Sequence, residues 1–197
     1  MKKYAITGTI GAGKSTVSIL LRRKNFPVFD CDQYVKSFYR KDHPVYQKMI
    51  ETFSEDILDE TGEIDRKKVA NIVFHDESKR LALNELTHPY VKEGLEHFFS
   101  LNEDKILVFA EVPLLYEAGW ENLFDKVIVV TCDDRVAIER LQEYRGFTKK
   151  EALKRLEAQI EAKEQIDKAD IVLHNNSTIL ELDDAVDEML KGELEWN

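Results

Sequence analysis

Residues Gly8-Thr9-Ile10-Gly11-Ala12-Gly13-Lys14-Ser15 satisfy the pattern G-x-x-x-x-G-K-[ST] in full. Glycines at these spacings let the backbone curl until successive N–H groups face one concavity, an anion nest opening onto a helix N-terminus. Gly11, Ala12, Gly13, Lys14, Ser15 and Thr16 are therefore the candidate triphosphate cradle. Lys14 would place a point charge at the β- and γ-phosphates, and the Ser15 hydroxyl would be a ligand for Mg²⁺. The loop should leave the Lys14 side chain facing solvent when empty. An ordinary glycine-rich turn has a similar composition, but the strand before this one and the helix after it are the context that phosphate binding requires. Glycines at 8, 11 and 13 do not give the G-x-G-x-x-G of a dinucleotide site.

Kinases, GTPases and mechanical ATPases all use such a loop. A guanine-reading N-K-x-D is absent. Asp59-Glu60-Thr61-Gly62 fits D-x-x-G, yet no strand precedes it, and it reads as a surface turn. The chain is also small for a mechanical ATPase. A small-metabolite kinase needs a base for the acceptor hydroxyl, an acceptor pocket and cations over the transferring phosphoryl group. Asp30 and Asp32 follow a short strand whose C-terminal end is expected beside the glycine loop; one can act as the base while the other caps a helix. Arg140 and Arg145, near the end of a later helix, could reach over the phosphates, or each could be a solvated surface charge. Glu111 ends another strand, where phosphate-loop enzymes often hold a second acidic group for Mg²⁺. His88, before Pro89, either touches the substrate or fixes a helix boundary.

The elements that must position these residues follow from periodicity. Tyr4 to Thr7 is a short apolar run ended by Gly8, a buried parallel strand. Val17, Ile19, Leu20 and Leu21 form a helical stripe ending near Asn25, and Pro27-Val28-Phe29 is a second strand. From about 41 to 100 the strand-like runs disappear, predicting a helical insertion that would hold the acceptor. Strands return at Ile106–Ala110 and Lys126–Val130, with a helix over 135–144 capped by Gly146. Thr148 and Glu151 form a capping-box pair opening a polar helix, part of an expected lid over about 139–167. Ile171–Leu173 is the last strand, and Thr178 with Glu181 opens the last helix, whose acids from Glu181 to Glu195 read as a solvated face. The pattern is α/β: a phosphate-loop kinase-like parallel sheet flanked by helices, with core segments at about 1–40, 101–138 and 168–197.

Composition agrees. The chain has 197 residues, 43% hydrophobic and 34% charged, enough for one sizeable core with an insertion. Thirty-eight acids against 28 Lys and Arg give a net charge of −10, which argues against a broad nucleic-acid footprint while leaving room for one cationic pocket. Cys31 and Cys132 make neither a disulfide framework nor a metal set, and suit a reducing compartment. No histidines fall at metal-ligand spacing, and Trp120 and Trp196 carry no motif. Apolar runs fall far short of the roughly 18 residues of a membrane span, and no secretory h-region precedes the glycines. The chain reads as cytoplasmic, a monomer or weak homo-oligomer, with neither nucleic acid nor membrane as partner.

Read together, these residues resemble the dephospho-CoA kinases. Ile6 to Thr16 is similar to the family's L-T-G-G-I-G-S-G-K-S/T, and Asp30-Cys31-Asp32 to its D-A-D. Leu86-Thr87-His88-Pro89 resembles L-x-H-P, and Val112-Pro113-Leu114-Leu115-Tyr116-Glu117 resembles V-P-L-L-F-E. Gln159 resembles a late glutamine, and Ala169 to Asn176 resembles A-D-x-V-I-x-N-x-G. The matches run in order over nearly the whole chain. The resemblance implies ATP-dependent phosphorylation of the 3′-hydroxyl of dephospho-CoA, the last step of coenzyme A synthesis, with Mg²⁺. It implies Asp32 as base at the acceptor and Asn175 near the adenine; the residues' own chemistry makes Lys14 and Arg140 the candidates at the transferring phosphates and His88 a candidate toward the substrate. Thr9, Ala12 and Cys31 replace the family's glycine, serine and alanine; a β-branched Thr9 would resist a positive φ. The rival readings are a nucleoside or nucleotide kinase and a non-catalytic nucleotide sensor.

Overall fold

The computed structural model describes residues 1–157 and 162–195, so Gln159 and Trp196 lie outside the described residues. The chain divides into two compact units, residues 1–29 with 102–197, and residues 30–101.

The first unit is built on a sheet of β1 (Lys2–Gly8), β2 (Val28–Asp30), β3 (Leu107–Glu111), β4 (Lys126–Thr131) and β5 (Ile171–His174). Their spatial order is β2-β3-β1-β4-β5. β1 runs parallel to β3, with Ile6 opposite Glu111, and parallel to β4, with Gly8 opposite Val130. All five residues of β3 are buried, as are β1 from Tyr4 and β4 from Val127, because both faces of a parallel sheet are covered. β2 does not pair with β1. The longer, fully buried β3 takes the place next to β1, and β2, only three residues and half-buried, is left at the edge.

Around this sheet lie α1 (Lys14–Arg23), α6 (Asp134–Arg145), α7 (Lys149–Glu157), α8 (Ala162–Asp167) and α9 (Ile179–Glu195). Val17, Leu20 and Leu21 of α1 are buried with Leu182, Val186 and Leu190 of α9 in one core; Ile19, counted in the stripe, points outward. Gly146, at φ 69°, ends α6, and the Thr148–Glu151 box forms, with the Thr148 N–H donating to Glu151 at 2.8 Å. The helix α9 is less solvated than its acids suggest. Lys24 bridges Asp183 and Asp187 at 2.7 and 2.8 Å. The buried Tyr4 donates its hydroxyl to Glu193, which also takes Lys126 at 2.7 Å.

Burial alone would raise the Glu193 carboxyl, but its bonds from Lys126 and Tyr4 outweigh this and hold it below 4.5. A depressed carboxyl contributes its stability above the unfolded value and loses it as pH falls through the folded one. Glu193→Gln should therefore destabilise the fold by roughly 1 kcal/mol at pH 7, a figure kept small because Lys126 is over a third exposed. Thermal unfolding of both proteins from pH 7 to 3 should show the gap closing below pH 4.5; a constant gap would mean that packing, not charge, is at stake.

The second unit is helical: α2 (Cys31–Lys36), α3 (Pro44–Phe53), α4 (Arg66–His75) and α5 (Glu77–Leu101). Phe38, Val45, Met49, Ile57, Val69 and Leu95 are fully buried apolar side chains of this unit, with His43 stacked on Phe38 at 4.6 Å. Asp59 to Gly62 is an exposed turn, closed by the Gly62 N–H on the Asp59 carbonyl. Pro89 does not end a helix: α5 runs straight through it, because burial of Val91, Leu95 and Phe99 outweighs the one backbone bond that proline forgoes. His88 thus marks no boundary. Among the described residues no helix is long and apolar enough to cross a membrane, and Cys31 and Cys132 are free thiols.

Candidate active site

The loop between β1 and α1 is shaped by steric necessity. Gly8 has φ 136°, and a Cβ there would sit 1.9 Å from the Val130 carbonyl oxygen of the neighbouring strand. Gly13 has φ 98° and caps α1; a Cβ there would approach the Asn175 amide nitrogen to 2.3 Å. Thr9 is not strained, since Asn25 and Ser54 are the only non-glycine positions with positive φ among the described residues.

Lys14 does not face solvent. Its side chain is half-buried and its Nζ donates to the Gly8 and Thr9 carbonyls at 2.8 and 3.0 Å. An ammonium has three donors and no acceptor, so it folds onto the nearest carbonyl oxygens. The next residue, Ser15, donates its hydroxyl to Oε1 of Glu111, the last residue of β3, at 2.7 Å. Glu111 is buried, and its Oε2 has no hydrogen-bond partner among the described residues. A buried carboxylate with one idle oxygen, beside a hydroxyl at the start of α1, suits a hard divalent cation.

The other side of the loop rests on β5 and α6. Asn175 follows β5, is buried, and its backbone N–H donates to the Thr131 carbonyl at 2.8 Å. Its Nδ2 donates to the Ala12 carbonyl at 2.8 Å. Arg140 donates to the Asn175 backbone carbonyl at 3.0 Å and to Asn175 Oδ1 at 3.2 Å, with a longer contact of 3.5 Å to Gly11. Arg140 is thus tied to the loop, whereas Arg145 is exposed. Cys132 lies against the Gly11 carbonyl, and burial pushes its thiol up despite Arg140 and Lys14 nearby. Asp133 and Asn176 exchange two hydrogen bonds that tie the ends of β4 and β5 together. Sequence reading missed Cys132 and this pair; the doublets Asp133-Asp134 and Asn175-Asn176, each just past a strand, were the available signal.

Asp32 and His88 belong to the second unit. Asp30 is the residue that caps α2, accepting from the Gln33 N–H at 2.9 Å. Asp32 lies exposed in the first turn. Arg66 sits over the Tyr39 ring at 5.7 Å; burial raises the Tyr39 phenol, Arg66 opposes this, and the Asp32 charge adds to it. Acid, phenol and guanidinium therefore share one neighbourhood. Burial, and then Lys92, hold the His88 imidazole below its usual value, so it is neutral at pH 7.

The family model described as dephospho-CoA kinase matches residues 4–181. A dephospho-CoA kinase of Aquifex aeolicus is 41% identical over 182 residues, covering 92% of each chain. Among solved structures, a Thermus thermophilus protein aligns with a TM-score of 0.83 at 32% identity, covering 97% of each chain. The dephospho-CoA kinase of Campylobacter jejuni aligns with a TM-score of 0.69 at 26% identity, covering 96% of this chain and 95% of that one. The order of the motifs, the loop geometry and these likenesses agree, and the chain belongs to the dephospho-CoA kinase family.

Proposed function

We propose that this kinase transfers the γ-phosphoryl group of ATP to the 3′-hydroxyl of dephospho-CoA. The observation that carries the reading is the complete phosphate loop in a chain whose family match spans both units. The bond from the γ-phosphorus to the β,γ-bridging oxygen breaks, a bond to the acceptor oxygen forms, and ADP leaves. Asp32 takes the hydroxyl proton. Two features support it as base: Asp30 already serves as the cap, and Asp32 is exposed in a neighbourhood that also holds Tyr39 and Arg66. Lys14 offsets charge on the β- and γ-oxygens, as does Arg140 from its seat on the loop. His88, neutral and half-buried, is suited to a polar contact with the substrate rather than to binding its phosphates by charge.

Ser15 and Glu111 would hold Mg²⁺, which when bound neutralises the phosphate oxygens and orients them for in-line transfer. Asn175 is read as lying near the adenine. The described helical parts of the 139–167 segment, the end of α6 with α7 and α8, serve as the lid that excludes water from the reacting phosphate.

The direct test follows ATP consumption with and without dephospho-CoA, beside a panel of nucleosides and nucleotides. Dephospho-CoA should raise ATP turnover by orders of magnitude, with one ADP formed per coenzyme A. ATP consumption indifferent to any acceptor would identify a nucleotide sensor or a simple hydrolase, and dependence on a nucleoside would identify the rival kinase.

A further inference from the structure

We infer that Asn175 is a positioning residue for the phosphate site, setting the direction in which the Gly13 N–H points. A trans peptide carries its C=O and the following N–H on opposite sides of one plane. The Ala12 carbonyl accepts from Asn175 Nδ2 at 2.8 Å, so the N–H of the same peptide, that of Gly13, is turned away from Asn175. It donates to nothing among the described residues. It stands at the N-terminal cap of α1, where an anion gains from both the free donor and the helix dipole.

The amide is locked in the orientation this requires. Arginine can only donate, so the oxygen bonded to Arg140 Nη2 must be Oδ1; a carbonyl can only accept, so the atom facing Ala12 must be Nδ2. The Asn175 backbone is held on both sides, its N–H donating to the Thr131 carbonyl and its C=O accepting from Arg140. The approach is possible only because residue 13 lacks a Cβ. Buried, and with Oδ1 and one Nδ2 proton already committed, the side chain has one amide proton left for a base. Its main work is on the loop.

This rests on the loop binding the triphosphate, and the test separates the two. Affinities for inorganic tripolyphosphate, ATP and adenosine are measured calorimetrically for the wild type, Asn175→Asp and Asn175→Ala. Asn175→Asp keeps an acceptor for Arg140, now a charged one, but sets an acceptor against the Ala12 carbonyl. Both variants should lose about 10- to 100-fold in affinity for tripolyphosphate, and a similar factor for ATP, as expected for one misaligned charge-assisted hydrogen bond. Adenosine affinity should stay within about twofold. In ¹⁵N-glycine-labelled protein, tripolyphosphate should shift the Gly13 amide proton strongly in the wild type and much less in Asn175→Ala, a readout that loss of fold stability alone would not produce. Losses confined to ATP and adenosine would make Asn175 a base contact and overturn the inference. Wild-type protein blind to tripolyphosphate would remove the loop reading itself, and the inference with it.

Discussion

Lys14→Ala is expected to lower turnover by about a thousandfold or more while leaving the protein folded. The ammonium is the one cation that the loop carries within its own motif. Loss of a single well-placed donor at a developing anion typically costs about 10²–10³-fold, and here the full charge goes with it. The fold should tolerate the change. Gly8 and Thr9 lose a donor to their carbonyls, but Gly8 is fixed independently by its packing on Val130, and the Lys14 side chain is only half-buried, so water can reach the vacated oxygens. Steady-state turnover at saturating substrates, with thermal unfolding as the fold control, checks both halves. Near-normal turnover in a folded variant would remove the phosphate-site assignment.

Asp32→Asn should be the second largest loss, roughly 10²–10⁴-fold in turnover, with ATP affinity retained. Phosphoryl transfer to an alcohol releases a proton as the new P–O bond forms; asparagine keeps the shape of the side chain but cannot take that proton. Asp30→Asn is the internal control. Its carboxylate caps α2, and asparagine caps about as well, so turnover and stability should change little. Both variants are compared at saturating ATP and dephospho-CoA. A large loss at Asp30 beside a small one at Asp32 would move the base by two positions. Small losses at both would leave the chemistry to positioning and charge, as a loose transition state allows.

Local signals made much of the fold legible. Glycine spacing located the loop, unbroken apolar runs located β1, β3 and β4, and the Thr148–Glu151 box and Gly146 marked helix ends that the structure reproduces. What stayed hidden depends on partners distant in sequence. Nothing in Val28–Asp30 tells that β3 will come between it and β1, because strand order is settled by burial across the whole sheet. The acids of α9 looked solvated because their cations, Lys24 and Lys126, lie in other elements. Pro89 signalled a boundary that packing of the rest of α5 overrode. In the site, the motif named Lys14, but the inward fold of its ammonium depends on carbonyl directions that only the curled backbone supplies. Which of Asp30 and Asp32 caps was likewise a question of one hydrogen bond.

The pairing of β1 bears on how the chain is made. Lys2 meets Leu107 and Tyr4 meets Lys126, so the first strand synthesised has no partner until more than half of the polypeptide has emerged from the ribosome. The Glu193 end of α9 comes later still. Residues 30–101, by contrast, form a continuous segment whose contacts are mostly local, and such a segment can mature while translation continues. Until β3 and β4 arrive, β1 is an apolar strand with two open edges, the kind of segment that nascent-chain chaperones shield. Nascent chains arrested before Lys126 should therefore show native protection only within 30–101, and release from arrest should be followed by slow, concerted closure of the sheet.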